Sequence, residues 1–156
     1  MATDRVWTGT VSSDYTATGN WKGGVVPVVT DRVWIGPDMV AAIDLTHSGT
    51  GVTLTEFHQS NLGTYAVGTN VGPLKINATN VYLGELSNSG SQGASSQRIN
   101  LDMEAVATSI YVYGSASGST DTGKEPIRIK GTSISLLYVS SGRVGIATDQ
   151  LGDVPR

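Results

Sequence analysis

The chain is built from short β-branched runs that recur at intervals of 25 to 28 residues, with glycine, asparagine, serine and threonine between them. The clearest repeat is Asp4-Arg5-Val6-Trp7-Thr8-Gly9, which returns 27 residues later as Asp31-Arg32-Val33-Trp34-Ile35-Gly36. A looser repeat follows. Pro73-Leu74-Lys75-Ile76 leads to Val81-Tyr82-Leu83-Gly84, and Arg98-Ile99-Asn100-Leu101 leads to Ile110-Tyr111-Val112-Tyr113. Pro126-Ile127-Arg128-Ile129 then leads to Leu136-Leu137-Tyr138-Val139. A fixed period of this size is the signature of stacked repeats, each burying its apolar face on the next.

Alternating and β-branched character places strands at 5–8, 32–35, 41–45, 52–57, 74–76, 81–86, 98–103, 109–113, 127–130, 134–139 and 143–147. The expected class is therefore all-β, as a short parallel β-solenoid. Regularly spaced hairpins would also produce many short strands, so a β-sandwich or jelly roll is the alternative. The length of 156 residues fits one domain, 1–156. Within it, 1–30 reads as a cap or edge segment, because Trp21-Lys22-Gly23-Gly24-Val25-Val26-Pro27 combines free dihedrals with a missing donor. Residues 149–156 read as a polar tail, and 87–96 and 115–124 as surface loops that could form a contact face.

Composition narrows the function classes. The net charge is −3 and the ten Lys and Arg are scattered, so no basic stripe invites nucleic acid. There is no cysteine, which removes disulfides and thiolate chemistry. The start, Met1-Ala2-Thr3-Asp4-Arg5, lacks an apolar signal segment, and no run is long enough to span a bilayer as a helix, so membrane insertion is not expected.

Catalytic constellations are weak. His47 and His58 are the only histidines, and eleven residues separate them, with Asp44 or Glu56 as loosely placed third ligands. Asp102 with Glu104, or Glu56 with Glu85, could form a carboxylate pair of glycosidase type. Solvated β surfaces carry such pairs routinely. Asp121-Thr122-Gly123 matches half of an aspartic-protease motif, without a second half. No Gly-rich stretch continues as a Walker or dinucleotide fingerprint, and Asn77-Ala78-Thr79 reads as a bend between strands. The expectation is a non-enzymatic chain without cofactor or metal.

Aromatic residues are the better interface candidates. Trp7 and Trp34 fall at equivalent positions of the hexamer repeat, which implies a shared scaffold role, and Trp21 sits among Asn20, Lys22 and glycines as a semi-exposed ring or a core closure. Tyr111 and Tyr113 have the same strand parity and are expected on one face. Trp7, Trp21, Trp34, Tyr111 and Tyr113 form the expected partner surface, alongside the further tyrosines Tyr65, Tyr82 and Tyr138.

The stretch from Trp7-Thr8-Gly9 through Asp14-Tyr15, Gly19-Asn20-Trp21-Lys22-Gly23-Gly24 and Val25-Val26-Pro27 to Asp31-Arg32-Val33-Trp34-Ile35 resembles the first coil of bacterial and phage right-handed β-helix proteins. The resemblance covers about the first 36 residues. It implies a right-handed parallel β-helix. Size, lack of cysteine and lack of a signal also resemble phage capsid decoration or cement proteins. That likeness implies a virion protein on the outer capsid surface, a homo-oligomer whose partner is the major capsid protein or another virion protein. The alternative it leaves is a carbohydrate- or receptor-binding tail module, with a glycan as ligand.

Overall fold

The computed structural model describes residues 1–36, 39–40, 48–60, 67–68, 74–85, 99–103, 108–113, 127–131, 134–140 and 144–147. It is an all-β fold with a nine-stranded, mostly parallel sheet. The strands are β1 (Asp4–Trp7), β2 (Arg32–Ile35), β3 (Ser48–Ser60), β4 (Leu74–Glu85), β5 (Ile99–Met103), β6 (Thr108–Val112), β7 (Ile127–Gly131), β8 (Ile134–Val139) and β9 (Val144–Ala147). The expected strand at 41–45, both polar loops and the tail lie outside the described residues.

Every ladder between these strands is parallel. One row runs Asp4, Arg32, Glu56, Asn80, Ser109, Leu136, each residue opposite the next. A second runs Leu74, Leu101, Ile129, Ile146. The long β4 joins the two rows: its first part, Leu74–Ile76, pairs with β5, and its second, Asn80–Leu83, with β6. The expected bend at 77–79 is thus a corner inside one continuous strand. Hydroxyls hold such corners together. Thr108 Oγ1 donates to the Ala78 carbonyl at 2.8 Å, Ser135 Oγ to the Thr108 carbonyl at 3.0 Å, and Thr55 Oγ1 to the Thr30 carbonyl at 2.8 Å. Each bond adds a donor to a backbone carbonyl of the preceding strand or loop. Gly84 ends the run, where the register with β3 slips by one residue and φ reaches 77°. Glycine adopts that left-handed conformation without a Cβ penalty.

Strand parity then builds the core. Val33, Phe57, Val81 and Ile110 stack in register and are fully buried, and beside them Ile35, Gln59, Leu83 and Val112 form a second buried column. The first strands of the period carry an alternating pattern, buried at Val33 and Ile35 and half-exposed at Arg32 and Trp34. Parallel in-register stacking places like residues on like, so a narrow interior is filled by medium-sized side chains, and one phenylalanine suffices.

The hexamer repeat is not the structural repeat. Asp4 lies opposite Arg32, not Asp31, and Trp7 opposite Ile35, not Trp34. A one-residue slip in a strand turns every side chain to the other face. Trp7 therefore points inward and is fully buried, while Trp34 points outward and is half-buried. The expectation of equivalent positions fails for this reason. The slip has a benefit in charge pairing: Arg5 of the first copy meets Asp31 of the second at 2.7 Å, and Asp4 of the first meets Arg32 of the second at 2.8 Å.

The segment before β2 closes one end. Lys22 N donates to the Val6 carbonyl, Thr8 N donates to the Asn20 carbonyl, and Trp7 and Trp21 form an antiparallel bridge, so the free edge of β1 is occupied. Trp7, Tyr15 and Trp21 pack edge to face or stacked, with centroids 4.9 to 6.4 Å apart, as aromatic quadrupoles favour. Trp21 Nε1 donates to the Tyr15 carbonyl at 2.8 Å, and burial, then the nearby Asp31 charge, push the Tyr15 phenol up from its ordinary pKa. Asn20, itself buried, is the organiser. Its Oδ1 accepts from the amides of Val11 and Ser12, and its Nδ2 donates to Ser12 Oγ and the Asp14 carbonyl.

Replacing Asn20 with Ala strands two amides and a carbonyl in the cap and should cost about 2 to 4 kcal/mol in urea unfolding. Asn20→Asp keeps the acceptor but loses the donors, and should cost more than half as much. Asp31 gives a pH prediction. Burial alone would raise its pKa, but the Arg5 hydrogen bond and charge, with the Val28 and Thr3 amides, outweigh it and hold the carboxyl below the usual range. A depressed folded pKa contributes stability that is full above the unfolded value of about 3.9 and is lost as pH falls through the folded one. Asp31→Asn should lower stability at pH 7 and flatten that acid limb, measured by urea midpoints between about pH 2 and pH 7.

Candidate functional site: an outward aromatic ladder

Four runs place an aromatic ring between two buried residues, Val33-Trp34-Ile35, Phe57-His58-Gln59, Val81-Tyr82-Leu83 and Ile110-Tyr111-Val112, and Leu137-Tyr138-Val139 repeats the order at the last strand, where Val139 is exposed. Because the flanking residues point inward, the central one must point outward. Registers then set Trp34, His58, Tyr82, Tyr111 and Tyr138 directly over one another.

The rings form a continuous stack. Trp34 and His58 lie 3.8 Å apart and nearly parallel at 7°, His58 and Tyr82 lie 4.7 Å apart, and Tyr82 and Tyr111 lie 5.1 Å apart. The last step, Tyr111 to Tyr138, loosens to 6.4 Å with a 49° tilt. Side chains on one row bind the first two rings of the ladder: Trp34 Nε1 donates to Asp4 Oδ1 at 3.2 Å, and His58 Nε2 stands 2.9 Å from Glu56 Oε2. His58 is buried by its ring neighbours, although it lies on the outer face.

Chemically, this geometry commits the π faces to one another. A sugar stacks on an open ring face, and the inner rings of the ladder present edges and polar tips instead. Tyr138, at the open end and half exposed, keeps a face towards solvent, as a terminal ring must.

The interface residues expected from sequence separate into two groups. Trp7 and Trp21 are buried in the cap, so neither offers surface to a partner; the glycines around Trp21 let the chain fold over the core end. Trp34 and Tyr111 belong to the ladder, and Tyr113, one residue past β6, is exposed. His58, Tyr82 and Tyr138 complete the ladder; Tyr82 and Tyr138 were among the further tyrosines expected to offer surface, whereas His58 was not. The signal for His58 is its place between two inward-facing residues, Phe57 and Gln59, which a search for tyrosines overlooks.

The carboxylates sit differently. Asp102 lies in register between Lys75 and Lys130, with Lys130 Nζ at 3.6 Å, a charge-alternating row of the kind that steadies a sheet surface. Glu56 is engaged with His58, and it stands opposite Asn80 while Glu85 stands opposite Ser60, so the two glutamates do not face each other in register. Glu104, Asp44, His47, Tyr65 and the Asp121-Thr122-Gly123 triplet lie outside the described residues. Among the described residues no three His, Asp or Glu gather as a metal site. No family model, curated protein or solved structure matches this chain.

Ladder position should decide mutational cost. Tyr82→Ala removes two stacking contacts in mid-stack and should destabilise by about 1 to 3 kcal/mol, whereas Tyr138→Ala removes one loose contact and should cost less than about 1 kcal/mol. Equal costs in urea unfolding would contradict a cooperative ladder.

Proposed function

We propose that the chain is a right-handed β-helix-like solenoid that serves as a non-enzymatic virion structural protein, decorating the outer surface of a phage capsid and stabilising it by protein-protein contacts. The observation that carries this reading is the ladder. Four of the outward rings, Trp34, His58, Tyr82 and Tyr111, stack on one another, so most of the aromatic chemistry of the surface stiffens the molecule rather than preparing a ligand platform. Support for the solenoid over a sandwich comes from the uniformly parallel pairing, since sandwiches are made of antiparallel sheets. Parallel crossovers are right-handed in about 98% of cases, which favours that hand.

The mechanism is mass action. A rigid accessory that binds the assembled shell and not its separated subunits shifts the equilibrium towards the intact particle. The stiffness of the stack serves that end, because a pre-ordered surface loses little conformational entropy on docking. The major capsid protein, or another virion protein, is the partner in this reading. The carbohydrate- or receptor-binding alternative rests on one observation, the exposed rings of Tyr113 and Tyr138.

Co-sedimentation separates the two readings. Purified protein mixed with assembled shells should pellet with them at a fixed stoichiometry, leave dissociated subunits unbound, and raise the temperature at which the shells open. Binding to a glycan array that Tyr113→Ala and Tyr138→Ala abolish, with no pelleting on shells, would replace decoration by glycan recognition.

A further inference from the structure

Indole and phenol rings give up one electron more readily than most side chains, and this fold sorts them by access. Of the three tryptophans, Trp7 and Trp21 are buried in the cap, whereas Trp34 is half-buried on the outer face. Trp34 is therefore the indole that a diffusing oxidant meets. Its Nε1–H donates to the Asp4 carboxylate at 3.2 Å, so a base already stands at the proton that an oxidised indole sheds. From Trp34 the ladder is a continuous path. His58 follows at 3.8 Å, Tyr82 at 4.7 Å and Tyr111 at 5.1 Å, with neighbouring planes within 15° of parallel. Offset-stacked rings at these separations touch, and electron tunnelling weakens steeply with any gap. The looser step of 6.4 Å then reaches Tyr138, which is 51% exposed.

We propose that the ladder is a relay for oxidising equivalents, which takes them from a diffusible one-electron oxidant radical at Trp34 and delivers them to the exposed phenol of Tyr138. The oxidant gains one electron from Trp34 and leaves as its reduced anion, while the indole N–H proton passes to Asp4. Tyr82 next supplies an electron across His58, the proton returns from Asp4 to Trp34, and the phenol proton of Tyr82 goes to water. Trp34 is restored and Tyr82 is a neutral phenoxyl radical. The same exchange then moves the radical to Tyr111 and to Tyr138. An imidazole is harder to oxidise than an indole or a phenol, so His58 conducts without holding the charge. The indolyl radical is a stronger oxidant than a phenoxyl, so the equivalent runs away from Trp34, and water around the exposed phenoxyl oxygen holds it at Tyr138. Two such radicals on separate molecules couple through their ortho carbons, and the ring hydrogens move to the oxygens, giving dityrosine with no atom lost. The route lies over the surface, away from Met39 and Met103 in the core, where a sulfoxide would place a polar group among packed side chains. The relay stands on the ladder geometry alone and holds whether or not the molecule decorates a shell.

Pulse radiolysis of the full chain with the azide radical, which oxidises tryptophan in preference to tyrosine, tests it. Indolyl absorbance should decay as phenoxyl absorbance grows, in a first-order step whose rate is independent of protein concentration. Tyr82→Phe keeps a stacked ring and removes the oxidisable phenol. It should slow that step by an order of magnitude or more while circular dichroism stays unchanged. Trp34→Phe should abolish the delayed growth of phenoxyl, since no accessible indole then receives the first hit. Tyr138→Phe, at an exposed position, should leave the first step unaltered and remove most of the intermolecular dityrosine, read by its fluorescence and by mass spectrometry of the cross-linked peptides. A transfer rate proportional to protein concentration, an unchanged rate in Tyr82→Phe, delayed phenoxyl growth that survives Trp34→Phe, or dityrosine that survives Tyr138→Phe would overturn the proposal.

Discussion

Parallel register is the constraint from which the rest of this structure follows. Once Asp4, Arg32, Glu56, Asn80, Ser109 and Leu136 are hydrogen-bonded in one row, every neighbouring residue is assigned to a face and to a column. The inner columns become Val33-Phe57-Val81-Ile110 and Ile35-Gln59-Leu83-Val112, and the outer one becomes five aromatic rings. Parallel strands cannot be joined by a tight hairpin turn and need longer connections. Each strand meets only its neighbours in the row, so the strands at the two ends have the fewest partners.

The ends are where this chain departs from uniformity. One is closed by a segment without a long strand, organised by a single asparagine and three interlocked aromatic rings. The hydrogen bonds of Asn20 replace the ladder partners that the turning backbone gives up, and Asp31 ties the same segment to β1 through Arg5 and the amides of Thr3 and Val28. The opposite end exposes the last members of two core columns. That asymmetry distinguishes the two ends among the described residues.

Much of the architecture was legible in the sequence, because strand positions depend on local β-branched alternation. The runs at 32–35, 99–103, 108–112, 127–131, 134–139 and 144–147 match the expected ones to within a residue or two. The fusion of 74–76 with 81–86 was not legible, since an asparagine-rich bend reads the same whether it interrupts a strand or turns it through a corner. Register was the larger miss. The identity of the two Asp-Arg-Val-Trp motifs implied a 27-residue stack, but Arg5 can reach Asp31 and Trp7 can enter the cap only if the stack advances by 28 there. Of the surface aromatics, Trp34, Tyr111 and Tyr113 were found by composition and parity, whereas Trp7 and Trp21 are buried. Tyr82 and Tyr138 were legible as amphipathic tyrosines, whereas His58, flanked by Phe57 and Gln59, acquires its place only once registers are known.

The in-register parallel stack is the central claim, and the aromatic ladder makes it accessible to nuclear Overhauser spectroscopy on isotope-labelled protein. The account predicts ring-to-ring contacts in the order Trp34, His58, Tyr82, Tyr111, together with the interstrand amide to α-proton pattern of parallel pairing. Strong α-proton to α-proton contacts between consecutive strands, with the Trp34 ring near Trp7 instead of His58, would contradict it and point to antiparallel hairpins with the 27-residue motif in register.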